Sequence, residues 1–188
     1  MHRQPLLNAL KIYRAAHPTE DETVDRIEEL ITTHEDCLLR TCVPGHITAS
    51  VWIVDSSHQR FLLTHHRKLQ RWLQLGGHVD GEPQVDRAAL REAQEESGIN
   101  DFKFAALSEL GPHIIDLDVH RIPAHGTEPE HLHHDVRFAL IAQHDELRIS
   151  SESLDLRWFE RHELEGISND ESILRLARKS FAALDGLS

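Results

Sequence analysis

The chain has 188 residues, enough for one substantial hydrophobic core with an appendage but too few for two full domains. Its 32 acidic and 20 basic side chains give a formal net charge of −12, which argues against a broad nucleic-acid-binding surface because phosphate contacts need Lys and Arg. No stretch approaches the roughly 18 apolar residues of a membrane span, and two cysteines cannot build a disulfide framework. We therefore expect a cytoplasmic protein with no membrane partner.

The N-terminal part of the chain, from residue 5 to residue 40, has the apolar spacing of amphipathic helices. After Pro18, Thr19 and Glu22 stand at capping-box spacing in the segment TEDETVDRIEELITTH. Because its apolar stripe needs a partner surface, this part is expected either to pack on the rest of the chain or to mediate a homodimer. We predict a helical extension at residues 1–42 and a main domain at residues 43–188. The stripe consists of Val24, Ile27, Leu30 and Ile31.

Strand-like segments dominate from His46 onward. HITASVWIVDS and RFLLTHH are separated by Ser56-Ser57-His58-Gln59, a predicted hairpin turn. A Gly-rich loop and an acidic helix that ends at Ser97, before Gly98, come next. HIIDLDVHRIP, DVRFALIAQ and LDLRWFERHEL are further predicted strands, PAHGTEPEHLHH is a predicted loop, and ESILRLARKSFAAL is a predicted closing helix. Strands and helices without regular βαβ alternation predict an α/β sandwich.

The acidic helix carries three glutamates on one arc. Glu92, Glu95 and Glu96 are related by three- and four-residue steps, so they fall within about 100° of one another at the edge of the apolar stripe. Arg91 can reach Glu95, but one arginine cannot neutralise three acids. Hard divalent cations take several oxygen ligands, so the patch suits Mg²⁺ or Mn²⁺; the other interpretation is a solvated acidic face.

The stretch GGHVDGEPQVDRAALREAQEESGI, which contains this helix, resembles the Nudix box. REAQEESGI matches the second half of the box in full, whereas eight residues rather than seven separate Glu82 from Arg91. LLTHHRKLQRWLQLGGHVDGE is similar to the strand and loop that precede the box in bacterial Nudix hydrolases. The resemblance covers about three-quarters of the chain. It implies a Nudix-type α/β/α sandwich with a mixed sheet, to which the N-terminal helical extension is added.

For function, the resemblance implies a MutT-like Nudix hydrolase, a pyrophosphohydrolase that cleaves the diphosphate linkage of a small nucleoside diphosphate derivative or related phosphoanhydride with Mg²⁺ or Mn²⁺. A pyrophosphate is multiply anionic, so a metal that bridges its oxygens and orients the attacking water suits this chemistry. Arg91 would orient the glutamates. Glu152, in the segment ISSES, is a candidate general base beside the box glutamates Glu92 and Glu95. The implied metal ligands are the Gly77 carbonyl, Glu92, Glu95 and Glu96.

Histidines and charged residues alternate along two of the predicted strands, which places them on one face of each. If these faces met the acidic helix, they would bind substrate phosphates or a second metal; otherwise they reflect only the composition of a chain with 16 histidines. His78 directly follows the glycine pair. We predict that His78, His133 and Arg137 bind substrate. The two faces consist of Asp116, Asp118 and His120 on one strand and His133, Asp135 and Arg137 on the next.

Two other functions compete with hydrolysis. One is a non-catalytic Nudix-like module that senses a nucleotide or binds a partner through residues 1–42. The other is an isomerase of the isopentenyl diphosphate type, which needs a catalytic cysteine before the box. The segment RWLQLGGH contains no cysteine, which weakens that alternative.

Overall fold

The apolar segments that begin at Gly45 form the central sheet. A computed structural model describes residues 2–108, 111–150 and 153–186. The strands in these ranges are β1 (Gly45–Val54), β2 (Arg60–His66), β3 (Arg71–Leu73), β4 (Leu75–His78), β5 (Phe102–Phe104), β6 (Leu107–Ser108), β7 (Gly111–Pro112), β8 (Asp116–Ile122), β9 (His131–Ala142) and β10 (Ser153–Glu160). The helices are α1 (Gln4–Ala16), α2 (Asp21–Thr33), α3 (Val85–Ser97), α4 (Leu164–Ile167) and α5 (Glu171–Asp185).

One mixed sheet contains eight of the described strands. Its central path has the order β10-β2-β1-β9-β5, while β3 pairs with β2, β4 with β1 and β8 with β9. β1 and β9 run parallel along the whole of β1, and the other pairs in this sheet are antiparallel. β6 and β7 form a separate two-stranded sheet. The parallel pair at the centre brings the starts of β1 and β9 together.

Helices cover both faces of the sheet. One buried cluster joins α1, α2 and α3 to one sheet face, where β1 contributes Ile47, Ala49 and Val51. The other buried cluster joins α5 to the opposite face, where β1 contributes Trp52 and Val54. Alternate residues of β1 therefore face different helices, as strand geometry requires. The predicted α/β/α sandwich with a mixed sheet is confirmed.

The N-terminal helices pack on the sheet rather than standing apart from it. Leu6, Leu10 and Tyr13 of α1, together with the predicted stripe of α2, are buried in the cluster that contains α3. Each large aliphatic side chain buried in this way contributes about 1.5–3 kcal/mol. The predicted capping box at Thr19 and Glu22 is wrong, because Pro18–Glu20 forms a 3₁₀ turn and Glu20 precedes α2 without a side-chain cap. The stripe therefore has its partner surface within the chain.

The predicted loop at PAHGTEPEHLHH is only partly correct, because β9 begins at His131 inside it. The backbone pairings explain the difference: Leu132 pairs with Gly45 and His133 with His46 in β1, and both also pair with β8.

The hairpin turn and the end of the acidic helix are as predicted. His58 adopts a φ of 60° in that turn, and Gly98 ends α3 in a left-handed conformation with a φ of 72°. No helix in the described ranges is both long and apolar enough to cross a membrane.

Candidate active site

Two of the box glutamates lie against the glycine pair of β4. Small residues, Ala88, Ala89 and Ala93, form the buried side of α3 and allow its backbone to approach the sheet. The Gly76 N–H donates to Glu96 Oε2 at 3.3 Å. A Cβ at Gly77 would lie 2.5 Å from Glu92 Oε2, so only glycine leaves room for that carboxylate. The region of Gly76, Gly77, Glu92, Glu95 and Glu96 is called the carboxylate patch below.

Arg91 connects the carboxylate patch to β4. Its Nη1 donates to Glu92 Oε1 at 2.7 Å and lies 3.6 Å from Glu95 Oε2, while its Nη2 donates to the His78 carbonyl at 2.8 Å. The Glu92 side chain is 14% exposed and the Glu95 side chain is 62% exposed. Arg91 therefore holds Glu92 firmly and Glu95 only loosely.

The carboxylate patch suits a hard divalent cation by two features of the structure. Its side-chain donors are oxygens, which are the ligands that Mg²⁺ and Mn²⁺ prefer. The space that a side chain at Gly77 would fill adjoins Glu92 and the backbone of β4. Glu82 lies outside the patch: it accepts from the Gln84 N–H at 2.9 Å just before α3 begins. The predicted general base Glu152 falls outside the described residues.

Five histidines gather on the sheet face opposite Glu92. Gly77 faces Glu92, and since successive residues of a strand point to opposite faces, the His78 ring lies on the other side of β4. In the sheet register His133 of β9 pairs with both His46 of β1 and His120 of β8, which aligns their side chains. The histidine cluster, as named here, consists of His46, His78, His120, His131 and His133.

The rings of the histidine cluster touch one another. The His46 ring centroid lies 5.0 Å from those of His78 and His131 and 4.8 Å from that of His133. Burial, followed by the neighbouring histidines, lowers the pKa of His46 to about 4 and that of His133 to about 2. Burial and the charge of Arg40 also lower the pKa of His78. His46, His78 and His133 are therefore neutral imidazoles at neutral pH.

Arg137 lies further along the same face and is 2% exposed. Its guanidinium donates to Asp135 at 2.8 Å and to Asp116 at 3.2 Å, and it also donates to the Ser172 hydroxyl of α5 at 2.8 Å. This face therefore meets α5, so the idea that it meets the acidic helix is wrong. The three residues predicted to bind substrate do not lie together. His78 and His133 belong to the histidine cluster, whereas Arg137 is surrounded by carboxylates.

A pocket of about 1060 Å³ opens at a distance from both groups. It lies between α1, the first residues of α3 and the last turns of α5, and Tyr13, Asp86 and Lys179 contribute to its lining. None of the carboxylate-patch or histidine-cluster residues lines it. Burial raises the pKa of the Asp86 carboxyl there.

No sequence motif marks His46 or His131 as a functional residue. The only signal for either is the alternation of polar and apolar residues along a strand. His46, Thr48 and Ser50 alternate with apolar residues in β1, and His131 stands two residues before His133. Once the segment from His131 is assigned to β9, the two-residue period places all of these side chains on one face.

Comparison with known proteins identifies the family. A family model described as the NUDIX domain matches residues 44–179. A crystal structure of a NUDIX family hydrolase from Clostridium perfringens superimposes with a TM-score of 0.57 and 24% identity, over 76% of this chain and 98% of that chain. An Ap4A hydrolase binary complex from C. elegans gives a TM-score of 0.57 and 22% identity, over 74% and 98%.

The dihydroneopterin triphosphate pyrophosphohydrolase of E. coli also superimposes, with a TM-score of 0.55 and 16% identity, over 72% of this chain and 94% of that chain. A search of curated proteins finds no match. At these identities the solved structures support the fold, and the family model spans most of the chain, including the carboxylate patch. The chain belongs to the NUDIX family and is a Nudix hydrolase.

Proposed function

We propose that this chain hydrolyses the diphosphate linkage of a nucleoside diphosphate derivative or a related phosphoanhydride, with Mg²⁺ or Mn²⁺ as its cofactor. The observation that carries the proposal is the contact between the box and the glycine pair. Glu92 lies where a Gly77 side chain would be, and Glu96 accepts a hydrogen bond from the Gly76 N–H. Two carboxylates and the backbone of β4 thus share one small, oxygen-rich region of the kind that hard cations bind.

We assign the metal ligands to the carboxylate patch. Glu92, Glu95, Glu96 and the Gly77 carbonyl would hold the cation, which when bound supplies charge neutralisation of the diphosphate and a more acidic attacking water. Arg91 fixes Glu92 relative to β4 through its bonds to Glu92 and the His78 carbonyl. Glu95, which is more exposed, would be ordered only when the cation binds.

The remaining predicted residues have unequal support. His78 is kept as a substrate contact because its backbone carries the Arg91 contact beside the patch. His133 is assigned to the histidine cluster instead, because its ring is enclosed there on the side of β4 away from the carboxylate patch. We assign Arg137 a structural role instead, because its guanidinium already donates hydrogen bonds to Asp135, Asp116 and Ser172. Glu152 stays a predicted general base, to be tested by Glu152→Gln.

Two features support hydrolysis over the alternatives. All three box glutamates are present, which a non-catalytic module would not need. Cys37 and Cys42 are both buried before β1 and belong to neither β3 nor β4, so no cysteine stands where an isopentenyl-diphosphate-type isomerase would use one.

The packing of α1 and α2 on the sheet removes the need for a homodimer to cover them. We propose that the enzyme acts on small molecules in the cytoplasm.

The test is a panel of ADP-ribose, nucleoside triphosphates and dinucleoside polyphosphates, with identification of the products. We expect cleavage that stops when EDTA is added and returns with Mg²⁺ or Mn²⁺. Glu92→Gln and Glu96→Gln should each lower kcat/KM by at least about 100-fold, since changes beside a metal site already cost 10- to 100-fold. Glu29→Gln, an exposed glutamate on α2, is the matched control and should leave turnover unchanged. Full activity of Glu96→Gln would refute the assignment.

A further inference from the structure

The histidine cluster contains a buried side chain that lacks a well-formed hydrogen bond. His46 is 2% exposed; its ring has a polar contact with the Cys42 backbone, but neither ring nitrogen makes a hydrogen bond of normal geometry with the described residues. A buried polar group without a hydrogen bond is costly, and such groups in native proteins usually have a role that satisfies them. The rings that face His46 are those of His78, His131 and His133. An occupant between these rings would satisfy His46.

The orientation of His131 indicates what that occupant is. Its Nδ1 lies 2.9 Å from the Pro129 carbonyl oxygen, which can only accept a hydrogen bond, so Nδ1 carries the proton. In the neutral ring Nε2 then carries a lone pair, and this atom lies 3.3 Å from His133 Nε2. Metal-binding histidines commonly donate their second ring N–H to a backbone carbonyl in this way, which fixes the tautomer for coordination.

The distances fit a tetrahedral ion. With Zn–N bonds of about 2.0–2.1 Å, two ligands of a tetrahedral zinc ion stand about 3.3 Å apart. The separation of the two Nε2 atoms of His131 and His133 is 3.3 Å. One nitrogen from each of His46, His131 and His133 lies within 4.8 Å of the others.

We propose that His46, His131 and His133 form a zinc site, distinct from the carboxylate patch, in which Zn²⁺ has three imidazole ligands and a water at its fourth position. Imidazole suits zinc and other late transition metals, whereas Mg²⁺ prefers oxygen, so the two sites select different ions. The site is separated from Glu92 by β4, since Gly77 and His78 face opposite sides of that strand. His78 and His120 adjoin the three ligands.

The charges around the cluster are compatible with a dication. Asp118 accepts from the His120 ring at 3.1 Å, and this hydrogen bond with the charge of Arg137 overcomes burial and holds the pKa of Asp118 well below its usual range. Asp80 forms two hydrogen bonds with Arg40, the nearby cation, at 2.9 and 2.7 Å. The carboxylates of Asp80 and Asp118 thus offset the positive charges near the site.

The experiment uses the full-length protein, ZnCl₂ or CoCl₂ as the only added transition metal, and excess Mg²⁺ to occupy the carboxylate patch. We expect one equivalent of tightly bound Zn²⁺ by calorimetry and elemental analysis, and the visible absorption of four-coordinate Co²⁺. His131→Ala combined with His133→Ala should weaken Zn²⁺ binding by about 100-fold or more. His133→Gln, which keeps a polar side chain of similar size, should show the same loss, and circular dichroism must show that both variants are folded.

Matched controls separate this site from other possibilities. A second group of metal-capable side chains, His34, Asp36 and Cys42, lies at the end of the N-terminal segment, and His34→Ala should leave zinc binding intact. Glu92→Gln with Glu96→Gln should also leave it intact, whether or not the protein proves to be a diphosphate hydrolase. Retention of one tight zinc equivalent by the His131/His133 double variant would overturn the proposal, as would the absence of tight zinc binding by the parent protein.

Discussion

The carboxylate patch and the histidine cluster lie on opposite sides of β4, and they differ in how they are assembled. The patch depends on local sequence, because its glutamates share one helix and meet a glycine pair fewer than about 25 residues away along the chain. The cluster depends on sheet register, because its rings come from β1, β4, β8 and β9. A motif therefore reveals the first region, and only the fold reveals the second.

The largest effect should come from the buried charges just beyond the cluster. Arg137→Leu leaves Asp135 buried with only the Thr48 and Ser50 hydroxyls as partners, whereas Asp116 keeps Arg175 and Lys179; breaking a buried ion pair costs about 3–5 kcal/mol. We expect a large drop in the free energy of unfolding, measured by urea denaturation. Glu92→Gln is the comparison variant and should unfold close to the parent. A folded Arg137→Leu protein of parental stability, with a raised KM alone, would instead support the original prediction of substrate binding.

Gly77→Ala should damage the carboxylate patch and spare the cluster. The added Cβ would displace the Glu92 carboxylate, which is the far end of a side chain rather than backbone, so the fold is kept while the site is distorted. A misplacement of about 1 Å can cost about 100-fold in rate. We expect that loss in kcat/KM with unchanged zinc affinity. Gly76→Ala is the contrasting variant, because its Cβ would lie 2.4 Å from the Ala49 carbonyl oxygen and its φ is 151°, so it should destabilise the fold as well.

The histidine cluster should make the stability of the protein depend on pH. In metal-free buffer, the pKa values of His46 and His133 are lowered to about 4 and about 2 in the folded chain, from about 6.5 when unfolded. Below about pH 6.5 the unfolded chain binds protons that the folded chain does not, so this contribution to stability is full above that pH and is lost as the pH falls. We expect Tm to decrease from pH 7 to pH 5. His46→Gln should make that decrease shallower; an equal slope would contradict a buried neutral ring at this position.

The smallest effect should come from Arg40→Ala. The Arg40 and Asp80 side chains are 56% and 42% exposed, and an exposed ion pair contributes about 1 kcal/mol or less. Because Arg40 is a cation near His78 and His46, its removal should tighten zinc binding a few-fold while turnover stays at the parental level. Weaker zinc binding in this variant, measured by calorimetry, would show that Arg40 holds the cluster together.

The sequence was sufficient for features that depend on local periodicity or on a spaced motif. The stripe of α2, the left-handed Gly98 at the end of α3 and the REAQEESGI helix all follow from residues near one another in the chain. The second half of the Nudix box also led to the fold, through resemblance. These predictions succeed because the helix period and the glycine conformation are local properties.

The remaining features depend on pairing partners that the sequence does not identify. The glycine pair predicts a loop because glycine disfavours strands, yet Gly76 and Gly77 pair with Ser50 and Ala49 of β1. The polar residues 131–134 also predict a loop, yet they begin β9 because they pair with β1 and β8. Thr19 and Glu22 have capping-box spacing, but Pro18 begins a 3₁₀ turn there. Strand pairing decided the first two cases, and the local 3₁₀ turn decided the third.

The parallel pairing of β1 with β9 also constrains the order in which the molecule can assemble. Thr48 and Asp135, hydrogen-bonded across that pair, are 87 residues apart in the chain. Contacts of such long separation form slowly because the intervening loop must close first. During synthesis β1 therefore cannot pair with β9 until the ribosome has produced β9, whereas the helical turns of α3 can form earlier. Zinc binding by the histidine cluster would then report the pairing of β1 with β9, since the rings of His46 and His133 meet only when that pairing is made.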